Sequence, residues 1–158
     1  MVTSWKQAYL CTPNMMQGSL QSPNIWSPPP EGKLKCNVDA ALLEDNVGFG
    51  AVIRNHDGIF VAAYAGHLQC VRDPYIAETV AVKEALTWIK NRSMASVIFE
   101  SDSMPRLIAR DIEDVVVRHV RRSTNHVAHV LAQATDHPAV LGVWDYIPPS
   151  CISELVPY

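Results

Sequence analysis

Residues 73–102, DPYIAETVAVKEALTWIKNRSMASVIFESD, restrict the fold more than any other stretch of the chain. They read as a helix followed by a strand, and each carries one carboxylate in an unusual place. At about 100° per residue, Ala77, Ala81, Val82, Ala85, Leu86, Trp88 and Ile89 share one side of residues 76–91. Thr79, Lys83, Glu84, Thr87, Lys90 and Asn91 share the other. Glu78 lies near the middle of the apolar side, in the first turn. An ionised carboxylate loses hydration there, which is costly unless something pairs with it. The strand SVIFESD then runs into the core and ends on Asp102. Strand C-termini in α/β folds are where sites are built. From these two residues alone a plainer reading stays open: a surface Glu favourable to the helix dipole, and a solvated Asp in a turn.

The preceding residues supply a sheet. In LKCNVDA (34–40), Leu34, Cys36 and Val38 alternate with Lys35, Asn37 and Asp39, a strand ending on a carboxylate. VGFGAVIRN (47–55) is a second strand, whose Gly48 and Gly50 permit close backbone approach. Asn55-His56-Asp57-Gly58 makes a tight hairpin, because Asp-Gly supplies positive φ, and residues 59–67 return as a third strand. Pro74 suits the first helical turn. After the fourth strand, 96–102, residues 105–110 fit a short helix and VVVRHVRR (115–122) a fifth strand. Ser123 or Thr124 is expected to cap a last helix, NHVAHVLAQAT. This order, β-β-β-α-β-(short α)-β-α, predicts an α/β fold. Its mixed five-stranded sheet would begin with three antiparallel strands, continue as βα units and carry flanking helices.

One domain suits 158 residues. Residues 1–32 read as a flexible Pro-rich tail or linker, with Ser27-Pro28-Pro29-Pro30 favouring extended geometry and Trp26 either on the loose segment or docked on the domain. The folded domain is expected over 33–136, and residues 137–158 as a tail lying on or near it. A net charge of −3 argues against a polyanion binder that works by bulk charge, though not against a local basic patch. Cys11, Cys36, Cys70 and Cys151 are far apart, without CxxC or zinc spacing, and reduced thiols in an intracellular protein are expected. No apolar run nears the roughly 18 residues of a membrane span, and residues 1–10 carry no secretory signal. Nuclear and cytoplasmic placement stay open, and a monomer is expected.

Asp39, Glu78 and Asp102 come from separate elements, so only the fold can gather them. Clustered carboxylates raise one another's pKa unless cations occupy the site. Hard oxygen donors suit magnesium or manganese, and two such ions about 4 Å apart can clamp an in-line phosphoryl displacement. No nucleophile elbow, phosphate-binding glycine loop, HExxH or dinucleotide fingerprint competes with that reading.

NVDA, GFGAVIRNHDG, IAETVAVKEAL, VIFESDS and HVRRSTNHVAHVLA, in this order, resemble the ribonuclease H domain. More narrowly the chain resembles the plant group derived from retroelement reverse transcriptases. That group commonly begins after a Trp and several prolines, as at Trp26–Pro30, and often ends with a Trp and a Pro-Pro pair, as at Trp144 and Pro148-Pro149. The resemblance covers about residues 26–156. It implies that Asp39, Glu78 and Asp102 hold two Mg²⁺ (or Mn²⁺) ions that cut the RNA strand of an RNA–DNA hybrid, leaving 3′-hydroxyl and 5′-phosphate ends. His119, six residues before Asn125, matches a mobile histidine that assists protonation or product release. Two departures stand out. The family's fourth acid is replaced by His129, whose neutral imidazole suits manganese or zinc better than magnesium. Asp136 lies about 10 Å further along the helix and does not substitute. The stretch between 103 and 115 is shorter than the family's. Arg118, Arg121 and Arg122, with Asn125 and with Arg106 and Arg110 on the short helix, are candidates for nucleic-acid contact or, alternatively, a solvated face. Three functions follow: a hybrid-cutting nuclease; an impaired relative that only binds nucleic acid or a protein; and a metal phosphatase acting on small esters.

Overall fold

The computed structural model describes residues 25–103 and 116–158. Strands β1 (Leu34–Leu42), β2 (Val47–Arg54) and β3 (Phe60–Leu68) form an antiparallel meander. At the β2–β3 turn, Asn55 Oδ1 accepts from the N–H groups of Asp57 and Ile59 at 2.9 and 3.0 Å, and Gly58 takes φ 77°. The Asp-Gly signal in the sequence describes this turn. Helix α1 (Pro74–Asn91) follows. Asp73 caps it by accepting from the Ile76 N–H at 3.0 Å, and the seven residues of the expected apolar side are buried.

The crossover places β4 (Val97–Ser101) parallel to β1, and β5 (Val116–His119) parallel to β4. Helix α2 (His126–Ala134) then crosses β1 and β2. A 3₁₀ turn (Pro138–Val140) leads into β6 (Gly142–Asp145), antiparallel to β3. The sheet order is β5-β4-β1-β2-β3-β6. The α1 face buries Cys36, Val38, Phe49, Ile53 and Phe99. The α2 face buries Val52, Phe60, Val127, Leu131, Ile152 and Val156. Among the described residues no helix is long and apolar enough to cross a membrane.

Several expectations need correction. Among the described residues the sheet has six strands, not five, because GVWD (142–145) pairs with the free edge of β3. A strand of four residues, mostly exposed, carries little alternation, so its pairing partner creates it. The fifth strand, expected over 115–122, stops at His119, and the chain turns through residues 122–125. Asn125, not Ser123 or Thr124, is the N-cap of α2, and its side chain makes no capping bond. β1 does not end at Asp39 but continues to Leu42, because β2 pairs with it throughout.

The segment before β1 also differs from a loose tail at its described end. Trp26 Nε1–H donates to Asn37 Oδ1 at 3.0 Å, and the Trp26 ring covers the Arg54 guanidinium at 3.7 Å. Lys35 Nζ donates to the Ser27 carbonyl at 2.6 Å. Lys35, Asn37 and Arg54 are 3%, 0% and 4% exposed, so each needs a partner, and Trp26 with Ser27 supplies part of it. The expected helix over 105–110, with Arg106 and Arg110, lies outside the described residues, as does the tail before residue 25.

Candidate active site

The register of the two parallel strands builds the centre of the site. Asn37 pairs with Glu100 in the β1–β4 ladder, and β4 ends one residue later at Ser101. Two residues on, Asp39 and Asp102 therefore lie side by side on the same face, with Asp102 just past the strand end. Helix α1 brings Glu78 to them from the start of its second turn, one turn later than the sequence suggests because the helix begins at Pro74. Its Oε1 accepts from the Ala40 N–H at 3.2 Å, which fixes the carboxylate against β1. Donor oxygens of Asp39, Glu78 and Asp102 all fall within 4.8 Å of one another. Glu78 Oε2 is buried without a hydrogen-bond partner among the described residues. A buried oxygen beside two further carboxylates is a donor set able to hold a hard divalent cation.

The electrostatics agree with that assignment. Burial, above all, and hydrogen bonding and repulsion from Asp39 push Glu78 up to about 9. Burial also raises Asp39, and Asp102 adds to this, while contacts with Glu78 and His129 oppose it. The unfolded chain ionises these carboxyls near their ordinary values, so it binds fewer protons than the folded state above that range. Stability of the cation-free protein should therefore fall as pH rises from about 5 towards 9. Denaturant unfolding in chelator at several pH values checks this. Glu78→Gln should flatten the slope, and so should saturating divalent cation, which binds only the folded state. A stability that rises over this range would contradict the raised carboxyls.

His129, the fourth residue of α2, places Nδ1 2.8 Å from Asp39 Oδ2. It thus stands beside the carboxylate cluster, with its side chain 30% exposed. His119, the last residue of β5, is exposed, with Nε2 3.0 Å from the Asp102 carbonyl oxygen. Arg122 is exposed, and its Nε donates to Asp102 Oδ2 at 3.3 Å. Two clefts flank the cluster. The larger, about 460 Å³, is lined by Tyr75, Glu78, Asp102, His119, Arg121 and Arg122 among others. The smaller, about 200 Å³, takes in Ala40, Glu78, Arg122, His129 and Gln133. Glu78 and Arg122 border both.

Not every sequence candidate belongs here. Asn125 is fully buried. Its Nδ2 donates to the Val38 carbonyl at 2.9 Å and its Oδ1 accepts from Asn37 Nδ2 at 3.1 Å, so it is not available to a nucleic acid. Arg118 is exposed on β5 beside Glu100 and lines neither cleft. Sequence reasoning also missed two things. Lys35, Asn37, Arg54 and Glu100 form a buried polar group, with Lys35 and Glu100 paired at 3.2 Å. Alternation does place Glu100 on the face of Asp102, and that was the available signal. Tyr75, 51% exposed at the mouth of the larger cleft, carried no signal beyond its place in the first helical turn.

Residues 37–109 match a family model described as reverse transcriptase-like. Among solved structures the fold is similar to ribonuclease H1 from the halophilic archaeon Halobacterium salinarum, at TM-score 0.57 and 22% identity, covering 66% of this chain and 97% of that one. It is similar to a ribonuclease H1 solved with an RNA/DNA hybrid, at TM-score 0.52 and 18% identity, covering 65% and 95% of the two chains. It is also similar to the N-terminal ribonuclease H domain of a Mycobacterium tuberculosis protein, at TM-score 0.53 and 17% identity, covering 65% and 92%. No curated protein matches the chain.

Proposed function

We propose that this ribonuclease H-like domain binds RNA–DNA hybrids and hydrolyses the RNA strand with divalent cations. The observation that carries the reading is the convergence of Asp39, Glu78 and Asp102 from β1, α1 and the end of β4, with donor oxygens within 4.8 Å. One structural neighbour was solved with an RNA/DNA hybrid, which supports the same substrate class here. Asp39, Glu78 and Asp102 would hold the cations, with His129 beside Asp39 in the place of a fourth acid. When bound, such ions polarise a phosphodiester and lower the pKa of a water nucleophile.

The chain's own residues do the rest. Asp39 is 2% exposed and anchored on a strand paired on both sides, so its carboxylate is held still. Arg121 and Arg122 border the larger cleft and favour a phosphate backbone there. Tyr75 offers a flat apolar face at the same mouth, suited to a sugar or base. His119 lines the same cleft as Glu78 and would carry a proton to or from a leaving oxygen there.

A second reading has its own observation. Arg122 pairs with Asp102, and His129 bonds Asp39, so two of the three carboxylates already have cationic or hydrogen-bonding partners. Such a site favours binding without turnover. Cleavage of an end-labelled RNA–DNA hybrid, in magnesium and then in manganese, separates the two. Cutting confined to the RNA strand is expected, faster in manganese because imidazole suits that ion better. Hybrid binding with no cutting in either metal would establish the binding module instead. Hydrolysis of small phosphate esters while hybrids are ignored would point to a phosphatase.

A further inference from the structure

The buried polar group on the α2 side of the sheet ends beside the carboxylate cluster and starts at Trp26. Asn37 Oδ1 accepts two hydrogen bonds, from Trp26 Nε1 at 3.0 Å and from Arg54 Nη2 at 3.2 Å. Its Nδ2 donates to Glu100 Oε1 at 3.0 Å and to Asn125 Oδ1 at 3.1 Å. Two donors meet the oxygen and two acceptors meet the nitrogen, so the amide has one satisfiable orientation. That orientation fixes the next amide. Asn125 Oδ1 faces Asn37, and Asn125 Nδ2 consequently faces the carbonyl of Val38, the residue before Asp39.

Asn125 is also the N-cap of α2, and its carbonyl accepts the His129 N–H at 3.1 Å. One side chain therefore ties the start of α2 to β1 at the two places that set the Asp39–His129 contact. Both Asn37 and Asn125 are 0% exposed, so neither can exchange a lost partner for water without local opening. Trp26 holds the outer end of this chain in two ways. It donates to Asn37, and its ring lies over the Arg54 guanidinium at 3.7 Å. Arg54 is 4% exposed, and its Nε has no hydrogen-bond partner among the described residues. Without the ring that guanidinium gains a route to water, and Asn37 Oδ1 loses one donor outright and the cover over the other.

We infer that Trp26 is a positioning residue for the carboxylate site, acting through Asn37 and Asn125 on Asp39 and His129. The inference rests on the hydrolytic reading above only for its kinetic arm. Trp26→Phe keeps the ring over Arg54 and removes the N–H, whereas Trp26→Ala removes both. The full chain would be compared at a temperature where each variant is folded by circular dichroism. Three quantities would be read: the side-chain amide resonances of Asn37 and Asn125, Mn²⁺ affinity by calorimetry, and kcat and KM on the hybrid.

Trp26→Ala should weaken Mn²⁺ binding and lower kcat by about tenfold each, with KM within about twofold, since a small misplacement of a supporting shell acts on chemistry more than on encounter. Trp26→Phe should fall between, at roughly threefold, and should shift the Asn125 amide resonances. Combined with Asn125→Ala, Trp26→Phe should add little, because the two changes cut one pathway. A merely covering role predicts lower thermal stability alone. Unchanged Asn125 resonances and Mn²⁺ affinity in folded Trp26→Phe and Trp26→Ala would overturn the inference. Should the wild type leave hybrids intact, the hydrolytic reading fails, while the resonances and Mn²⁺ affinity still decide the role of Trp26.

Discussion

Asp39→Asn is expected to reduce hybrid cleavage by about a thousandfold or more, which corresponds to about 4 kcal/mol of lost transition-state stabilisation. Asp39 is the most buried of the three carboxylates, at 2% exposure, and the one that contacts His129. An amide there keeps the shape and one acceptor oxygen but removes the charge a cation needs. The same change should raise the melting temperature of the cation-free protein. Repulsion from Asp102 disappears, and a buried carboxylate no longer has to be held ionised without a cation. Gel assays of end-labelled hybrid, with melts in chelator, test both halves. Residual cleavage near the wild-type rate would show that the cutting is not done at this cluster. Lower stability would show that the Asp39–His129 contact outweighs the repulsion.

Gly50→Ala should cost about 3 kcal/mol of folding stability, at the upper end of what overpacking usually does. Gly50 lies opposite Asp39 in the β1–β2 ladder, directly under α2. An added Cβ would sit 2.8 Å from the Ala132 backbone nitrogen and 2.9 Å from Leu131 Cβ. Neither is the tip of a flexible side chain, so the helix itself must retreat. At Gly48, two residues earlier on the same face, an added Cβ would sit 2.0 Å from Thr135 Oγ1 and 2.9 Å from the Ala132 carbonyl oxygen. The pair seats α2 low on the sheet, and only there does His129 reach Asp39. Urea denaturation measures the cost, and Mn²⁺ affinity in the folded fraction should drop with it. A loss under about 1 kcal/mol would mean that the helix moves more easily than its contacts suggest.

Much of this was readable from residue order. The apolar side of α1 coincides with its buried residues because one long amphipathic helix has a strong period, and burial follows period. Asp-Gly fixed the hairpin, and Gly48 with Gly50 announced a close approach. Glu78 and Asp102 were visible as carboxylates that local pattern does not explain. What stayed hidden depends on neighbours distant in sequence. Asn125 looked like a surface polar residue, yet its partners lie 87 and 88 positions away. Alternation put Lys35 and Asn37 on the face of Asp39, but strand alternation gives the side and not what covers it. β6 was missed because four mostly exposed residues become a strand only when β3 offers them an open ladder.

That sixth strand bears on how the molecule behaves in a crowd. β6 occupies the edge of β3 from Ala62 to Ala65, and Asp145 is tied back to Arg92 at the C-terminal cap of α1. Beyond it, Ile152 and Val156 plug the α2-side core. A chain cut at residue 136, where the helical pattern stops, would leave β3 with a row of unpaired N–H and C=O groups beside an unfilled apolar hollow. Exposed ladders of that kind recruit the same ladder from another copy. The opposite edge has a different safeguard, since β5 is only four residues long and carries exposed Arg118. Keeping copies from aggregating is thus the work of the C-terminal segment as much as of any surface charge.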